Sequence, residues 1–283
     1  MAYAGLADCY FLNISFGYEA VQPALVYEKV RATALRALEL DPTLAEPHVA
    51  LAVVKIRQDR DPAEAEVSFD RAIAANPNCA MAYLRYAWFL AAMGRLEEAL
   101  QNAERAQELD PLSPENNATV GYLLYFARQY DKAIGYCQRA LLIEPDFFWA
   151  RLYAGLNYLQ KGMYEEAISE YRIVEASHKD CTEPLELLGH AYAVMGRRDE
   201  AEKVLSQLEE LSAHKQVLPY NLASIYAALN QNDRAFELLE QPWVIWTERL
   251  RVLRFDPRLD SLRSDLRFEH LIVQELPMMQ EKS

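Results

Sequence analysis

The sequence predicts an all-α protein built by repeating one helical hairpin. Three observations predict it. A column of small residues, Ala7, Ala52, Ala87, Gly121, Gly155, Gly189 and Ala223, is spaced by 45, then 35, then four times by 34 residues. A second column, Val30, Ala65, Ala99, Ala133, Ala167, Ala201 and Ala235, is spaced by 35 and then five times by 34. Four stretches then close on Asp41-Pro42, Asn76-Pro77, Asp110-Pro111 and Glu144-Pro145. Small residues recur where two helices approach closely. The residue before a proline is driven out of the helical region, so the chain must turn there.

The clearest unit is 80–110, two amphipathic helices joined at Met93-Gly94-Arg95. Around the first column, the preceding residue is Leu6, Leu51, Tyr86, Val120, Ala154, Leu188 or Leu222. Three residues after the column come Tyr10, Lys55, Leu90, Leu124, Tyr158, Tyr192 and Tyr226. Spacings of one, three and four place these on one helical face. The second helices add Ala34, Phe69, Ala103, Cys137, Tyr171, Leu205 and Leu239 four residues after their own small column.

Together these residues resemble the tetratricopeptide repeat (TPR), a 34-residue helix–turn–helix. The resemblance implies a right-handed α-solenoid of seven repeats over 1–249, with bounds near 1–44, 45–79, 80–113, 114–147, 148–181, 182–215 and 216–249. A C-terminal helical cap and tail would follow over 250–283. Repeats five to seven lack the closing proline but keep the other columns.

In chain order, 2–12 is expected to be the first helix, flush with the start of the chain. A repeat array normally needs a polar capping element at its end. The expectation is therefore a chain cut from a longer protein, or an end on which another domain or a second copy stacks. Residues 13–23 are expected to be an inserted loop or an extension of the second helix, whose Phe16 and Tyr18 pack back on the array or await a partner. Repeat two carries one extra residue near 57–62, before the helix that Pro62 opens. Past Pro242, helices are expected over 243–254 and 262–273, with Trp243, Trp246, Leu250, Leu253 and Phe255 covering the last repeat. The tail 254–268, RFDPRLDSLRSDLRF, is similar to the end of TPR regions in multidomain bacterial signalling proteins. In that group a winged-helix, cyclase or kinase domain precedes the repeats.

The chain has 283 residues, a net charge of −13 and 52% apolar residues. The charge disfavours nucleic acid and anionic membrane surfaces as direct ligands, which need clustered Lys and Arg. No run of 18 apolar residues is present, and the first residues have no basic signal-peptide region. Cys9, Cys79, Cys137 and Cys181 form no CxxC, and are expected to be reduced thiols in the cytoplasm.

A ligand is expected on the face of the first helices that is not used for packing, the concave side of a TPR array. Met81, Leu84, Trp88, Tyr122, Tyr125, Trp149, Leu152, Leu156 and Leu159 lie there, followed in repeat six by Glu186 and His190. So many large apolar groups at nominally open positions predict a groove for a peptide or helix, with aromatic anchors. Packing of the same rings inside a narrow array is the competing expectation. TPR domains that clamp chaperone C-termini use Lys, Asn and Arg on this face; Asp8, Trp88, Tyr122 and Leu156 stand there instead.

Glu186 and His190, one turn apart, are two ligands too few for a metal site. No HExxH, GxxxxGK[ST], GxGxxG or GxSxG is present. No metal, no cofactor and no catalytic residue is expected. The sequence points to a non-enzymatic protein-interaction scaffold, or alternatively to the regulatory region of a bacterial signalling protein or to a homo-oligomerisation module.

Overall fold

The computed structural model describes residues 23–215, 217–241 and 253–275. The expected first helix 2–12, most of the insertion 13–23, and Trp243, Trp246 and Leu250 lie outside the described residues. Among the described residues the chain is helical throughout, without strands. It divides into two compact units.

Unit one comprises residues up to 89 together with 101–110. It opens with α1 (Pro23–Leu40), followed by α2 (Glu46–Val54) and α3 (Pro62–Ala75). Helices α1 and α2 pack together, as do α2 and α3. The extra residue of repeat two is absorbed as a π-helical turn, Lys55–Asp59, which continues α2 and ends at Arg60 in the left-handed region (φ 54°). A π turn takes up one residue without breaking the helix. Asp61 then accepts a hydrogen bond from the Glu64 amide (3.1 Å) and Pro62 stands in the first turn, which fixes the start of α3. Helix α4 (Ala80–Ala92) and helix α5 (Leu96–Leu109) straddle the division between the units. In unit one, Phe69 stacks on Tyr86 with ring centroids 5.1 Å apart, and Phe89 joins them.

Unit two comprises 90–100 and everything from 111 onward. Its helices are α6 (Pro114–Phe126), α7 (Tyr130–Ile143), α8 (Phe148–Gln160), α9 (Tyr164–Ser177), α10 (Glu183–Val194), α11 (Arg198–Leu211), α12 (Pro219–Ala228) and α13 (Asn232–Leu239). Each first helix packs on its own second helix (α6 on α7, α8 on α9, α10 on α11, α12 on α13). First helices also pack on the first helix of the next repeat, α6 on α8 and α10 on α12.

The small columns sit where the pairing is tightest. Ala65, Ala99, Ala133, Ala167, Ala201 and Ala235 are all fully buried. A Cβ added at Gly121 would stand 2.7 Å from Cys137 Sγ, and one at Gly155 2.3 Å from the Tyr171 ring. One at Gly189 would meet Val204 and Ile225 at 2.8 Å. In the first two, the intruding partner belongs to the second-helix column predicted from the sequence. The turn between the two helices carries its own column in the left-handed region: Arg60, Gly94, Arg128, Gly162, Gly196 and Asn230. Glycine and asparagine suit that conformation; arginine does not.

The C-terminal segment departs from expectation. The helix expected over 262–273 is present as α14 (Leu266–Glu275), starting four residues later, and an unexpected 3₁₀ turn, Pro257–Leu262, precedes it. The Asp256 side chain accepts a hydrogen bond from the Arg258 amide (2.9 Å), and Pro257 follows directly, so Asp-Pro-Arg makes a tight capped turn. Leu253, Leu259 and Leu262 are fully buried and share one core with Tyr125, Leu152, Leu156, Leu159 and Tyr171.

Candidate functional site

The first-helix face of unit two is the candidate site, and the structure gives it an occupant. The expectation of an open groove needs correction at most of its positions. Leu84 in unit one is 2% exposed, and Tyr125, Leu152, Leu156, Leu159, Glu186 and His190 in unit two are all between 0 and 4% exposed. Met81, Trp88, Tyr122 and Trp149 are half-buried. In unit two the apolar side chains among these share one core with the leucines of the C-terminal segment, while Glu186 and His190 are engaged by Leu218, Asn221 and Ser224 at α12.

Asp256 is the centre of this arrangement and is completely buried. The Tyr125 hydroxyl on α6 donates to its Oδ1 (3.0 Å) and the Tyr220 hydroxyl on α12 donates to its Oδ2 (2.8 Å). Arg258 Nη2 donates to Oδ2 at 2.7 Å, and its Nε bridges both oxygens. Arg258 Nη1 donates to Asn221 Oδ1 (3.0 Å), and the guanidinium lies 5.3 Å from the centroid of the Tyr220 ring. One carboxylate is therefore held by tyrosines from repeats four and seven. Burial pushes the Asp256 carboxyl up, but the Arg258 charge and the hydrogen bonds from Arg258 and Tyr220 outweigh it and hold it at about 2. Burial and the Asp256 charge push the Tyr125 and Tyr220 hydroxyls upward, so both remain donors.

A second polar cluster borders the first. Glu186 accepts from Thr182 Oγ1 (2.7 Å), from the Leu218 amide (3.3 Å) and from Asn221 Nδ2. Burial raises its carboxyl, and those three donors pull it back part of the way. His190 Nδ1 donates to the Ser224 carbonyl (3.0 Å). Burial, with the Arg258 charge added, lowers its imidazole to about 4. Its Nε2 has no partner among the described residues, and neither has the buried Tyr171 hydroxyl. Asp256 and Arg258 act electrostatically on both rings. The sequence pairing of Glu186 with His190 thus resolves into two separate hydrogen-bonding roles, and no group of three His, Cys, Asp or Glu suited to a metal occurs among the described residues.

Farther out, the tail is held by exposed pairs. Arg128 makes two 2.7 Å hydrogen bonds to Asp260 from its left-handed turn position. Arg267 reaches Asp233 (2.9 Å) and stands 4.1 Å over the Phe236 ring. Arg128 explains why an arginine occupies a glycine position: the side chain is used by the tail. Beside the covered face, half-buried rings on α6 and α8 form a ladder. Tyr122 stacks on Tyr153 at 4.1 Å, Tyr153 lies 5.8 Å from Trp149, and Phe148 meets Trp149 edge-on at 4.9 Å.

Sequence reasoning did not single out Asp256, Arg258 and Asn221, the centre of this cluster. The available signal was an Asp-Pro-Arg turn inside an otherwise apolar tail.

Comparison with known proteins agrees with this architecture. The tetratricopeptide repeat family model matches residues 50–114. Over 118 residues the chain is 32% identical to Hsp70-Hsp90 organizing protein 3 of Arabidopsis thaliana, covering 42% of this chain and 21% of that protein. Over 90 residues it is 34% identical to the type IV pilus assembly protein PilF of Pseudomonas aeruginosa, covering 32% of this chain and 35% of that protein. The chain thus spans only a fifth to a third of the curated relatives it matches. Among solved structures, a tetratricopeptide repeat protein from Parabacteroides merdae superposes with a TM-score of 0.62 at 15% identity, covering 90% of this chain and 98% of that one. PilW, a type IV pilus biogenesis factor, superposes with a TM-score of 0.61 at 18% identity, covering 81% of this chain and 96% of that one. These likenesses establish the tetratricopeptide repeat fold, and the family model matches 50–114 of a chain whose helical pairs and 34-residue columns continue beyond that stretch.

Proposed function

We propose that this protein is a non-enzymatic interaction module that binds a peptide or helix of a partner protein on the first-helix face of unit two. The observation that carries the reading is the seating of residues 253–262 there: a short segment held by side-chain-specific hydrogen bonds from two repeats. A face that selects one carboxylate and one guanidinium has the chemistry of peptide recognition. The ladder of Tyr122, Tyr153 and Trp149 supplies aromatic anchors of the kind that dominate binding energy. Two relatives, an organizing protein and an assembly protein, support the same class. Met81 and Trp88 in unit one extend the proposal to that unit's first helices, whereas buried Leu84 serves packing.

A net charge of −13 argues against direct nucleic-acid binding. No helix among the described residues is long and apolar enough to cross a membrane. Among the described residues Cys79, Cys137 and Cys181 form no disulfide, which supports a reducing, cytoplasmic setting as part of this proposal.

The test is capture of partners from native lysate by the wild-type chain and by Tyr122→Ala/Trp149→Ala, with circular dichroism confirming that the variant is folded. Loss of two anchors should reduce the captured partner at least about tenfold, as for interface hot spots. A partner retained at equal yield by the folded variant overturns the aromatic site.

A further inference from the structure

The tail does more than cap the array. A capping element needs only to cover apolar surface, and Leu253, Leu259 and Leu262 suffice for that. The Asp-Pro-Arg turn adds a buried ion pair, whose desolvation commonly offsets most of its attraction. Its worth lies in selectivity: Tyr125 and Tyr220 accommodate a carboxylate acceptor, Asn221 and the Tyr220 ring accommodate a guanidinium, and neither pair is satisfied by an apolar segment. The fit is also incomplete. His190 Nε2 and the Tyr171 hydroxyl stay buried beside the pair without partners among the described residues, and orphaned groups of this kind are costly.

We propose that residues 253–262 are a tethered ligand of the peptide-binding face, and that the face takes in trans a leucine-flanked Asp-Pro-Arg turn, which must displace the tail to bind. The ligand class follows from the occupant. The acid and the base stand two residues apart with proline between them; an aliphatic residue lies three positions before the acid, and others lie three and six after it. The tether regulates by occupancy. A partner sees an affinity reduced by the fraction of time the face is open, so the module is held closed until a ligand of matching chemistry reaches high local concentration. Exposed pairs such as Arg128–Asp260 are the peripheral contacts that an incoming ligand can exchange without uncovering a buried charge. This inference rests on the interaction reading above and names the regulation of that site.

The probe is a fluorescent peptide of sequence LRFDPRLDSL, matching 253–262, added to the full chain. The double variant Asp256→Ala/Arg258→Ala removes both charges of the buried pair and leaves the receptor residues intact. It should bind the probe at least tenfold more tightly than wild type, and an LRFAPALDSL peptide should bind neither. Equal binding to both proteins, or none to a folded double variant, overturns the tether. If the variant fails to fold, hydrogen exchange on the wild-type chain decides. Excess LRFDPRLDSL should speed exchange at the tail amides while α6 and α12 stay protected; unchanged tail exchange overturns the proposal. A lysate partner that needs Tyr122 and Trp149 but binds wild type and the double variant alike would keep the interaction function and remove the tether.

Discussion

The contact between the two helices of each repeat and the inner face of unit two are built on opposite principles. The helix contact is periodic: the same small residue meets the same kind of partner every 34 residues, as at Gly121 with Cys137 and Gly155 with Tyr171. Its energy comes from close apolar packing, and each contact is local to neighbouring elements. The inner face is aperiodic and polar at its centre. Its key bonds join residues 131 and 36 positions apart and tie repeat four to repeat seven through one carboxylate. A repeated interface can be written once and copied, whereas a unique constellation must be composed from side chains that no repeat shares.

The sharpest way to break that comparison is Asp256→Ala. It strands the Arg258 guanidinium in a buried site and should cost about 3–5 kcal/mol in urea unfolding, as removal of one partner of a buried pair does. The Asp256→Ala/Arg258→Ala variant should cost less than the single change, because no lone charge remains. A single variant as stable as wild type would mean the pair carries no weight in the fold.

Acid sensitivity tests the same face next. His190 titrates at about 4 when folded against an ordinary value of 6.5. The unfolded chain therefore binds more protons between those values, and stability falls as pH drops from 6.5 toward 4. The shift corresponds to about 3 kcal/mol once pH is below both values. Urea midpoints measured across that range should fall for wild type and flatten for His190→Gln; parallel curves would remove His190 as the origin. Arg258, Asp256 and the Ser224 carbonyl are the groups that set this imidazole's environment.

The smallest expected effect sits on the periodic side. Gly155→Ala gains roughly 1 kcal/mol of helix propensity, but its Cβ meets the Tyr171 ring at 2.3 Å and forces that buried ring to move. Overpacking of this kind costs about 1–3 kcal/mol, so after the propensity gain a net loss of up to about 2 kcal/mol is expected in thermal or urea unfolding. A stabilised variant would show that the glycine column is not set by close approach.

The sequence alone determined the repeat. Columns at a spacing of 34, small residues at close approaches and prolines after extended residues are all local or nearest-neighbour facts, and one copy confirms the next. It also grouped Tyr125, Leu156, Glu186 and His190 on one face of the first helices. It read the extra residue near 57–62 as a longer turn, because a π-helical turn leaves no distinct pattern in side-chain type. Tertiary structure alone decided what covers the face. Tyr125 and Asp256 meet only after three intervening helix pairs set the distance, and no periodic signal links them. An acid, a proline and a base in an apolar tail acquire their meaning from the two tyrosines that the fold brings to them.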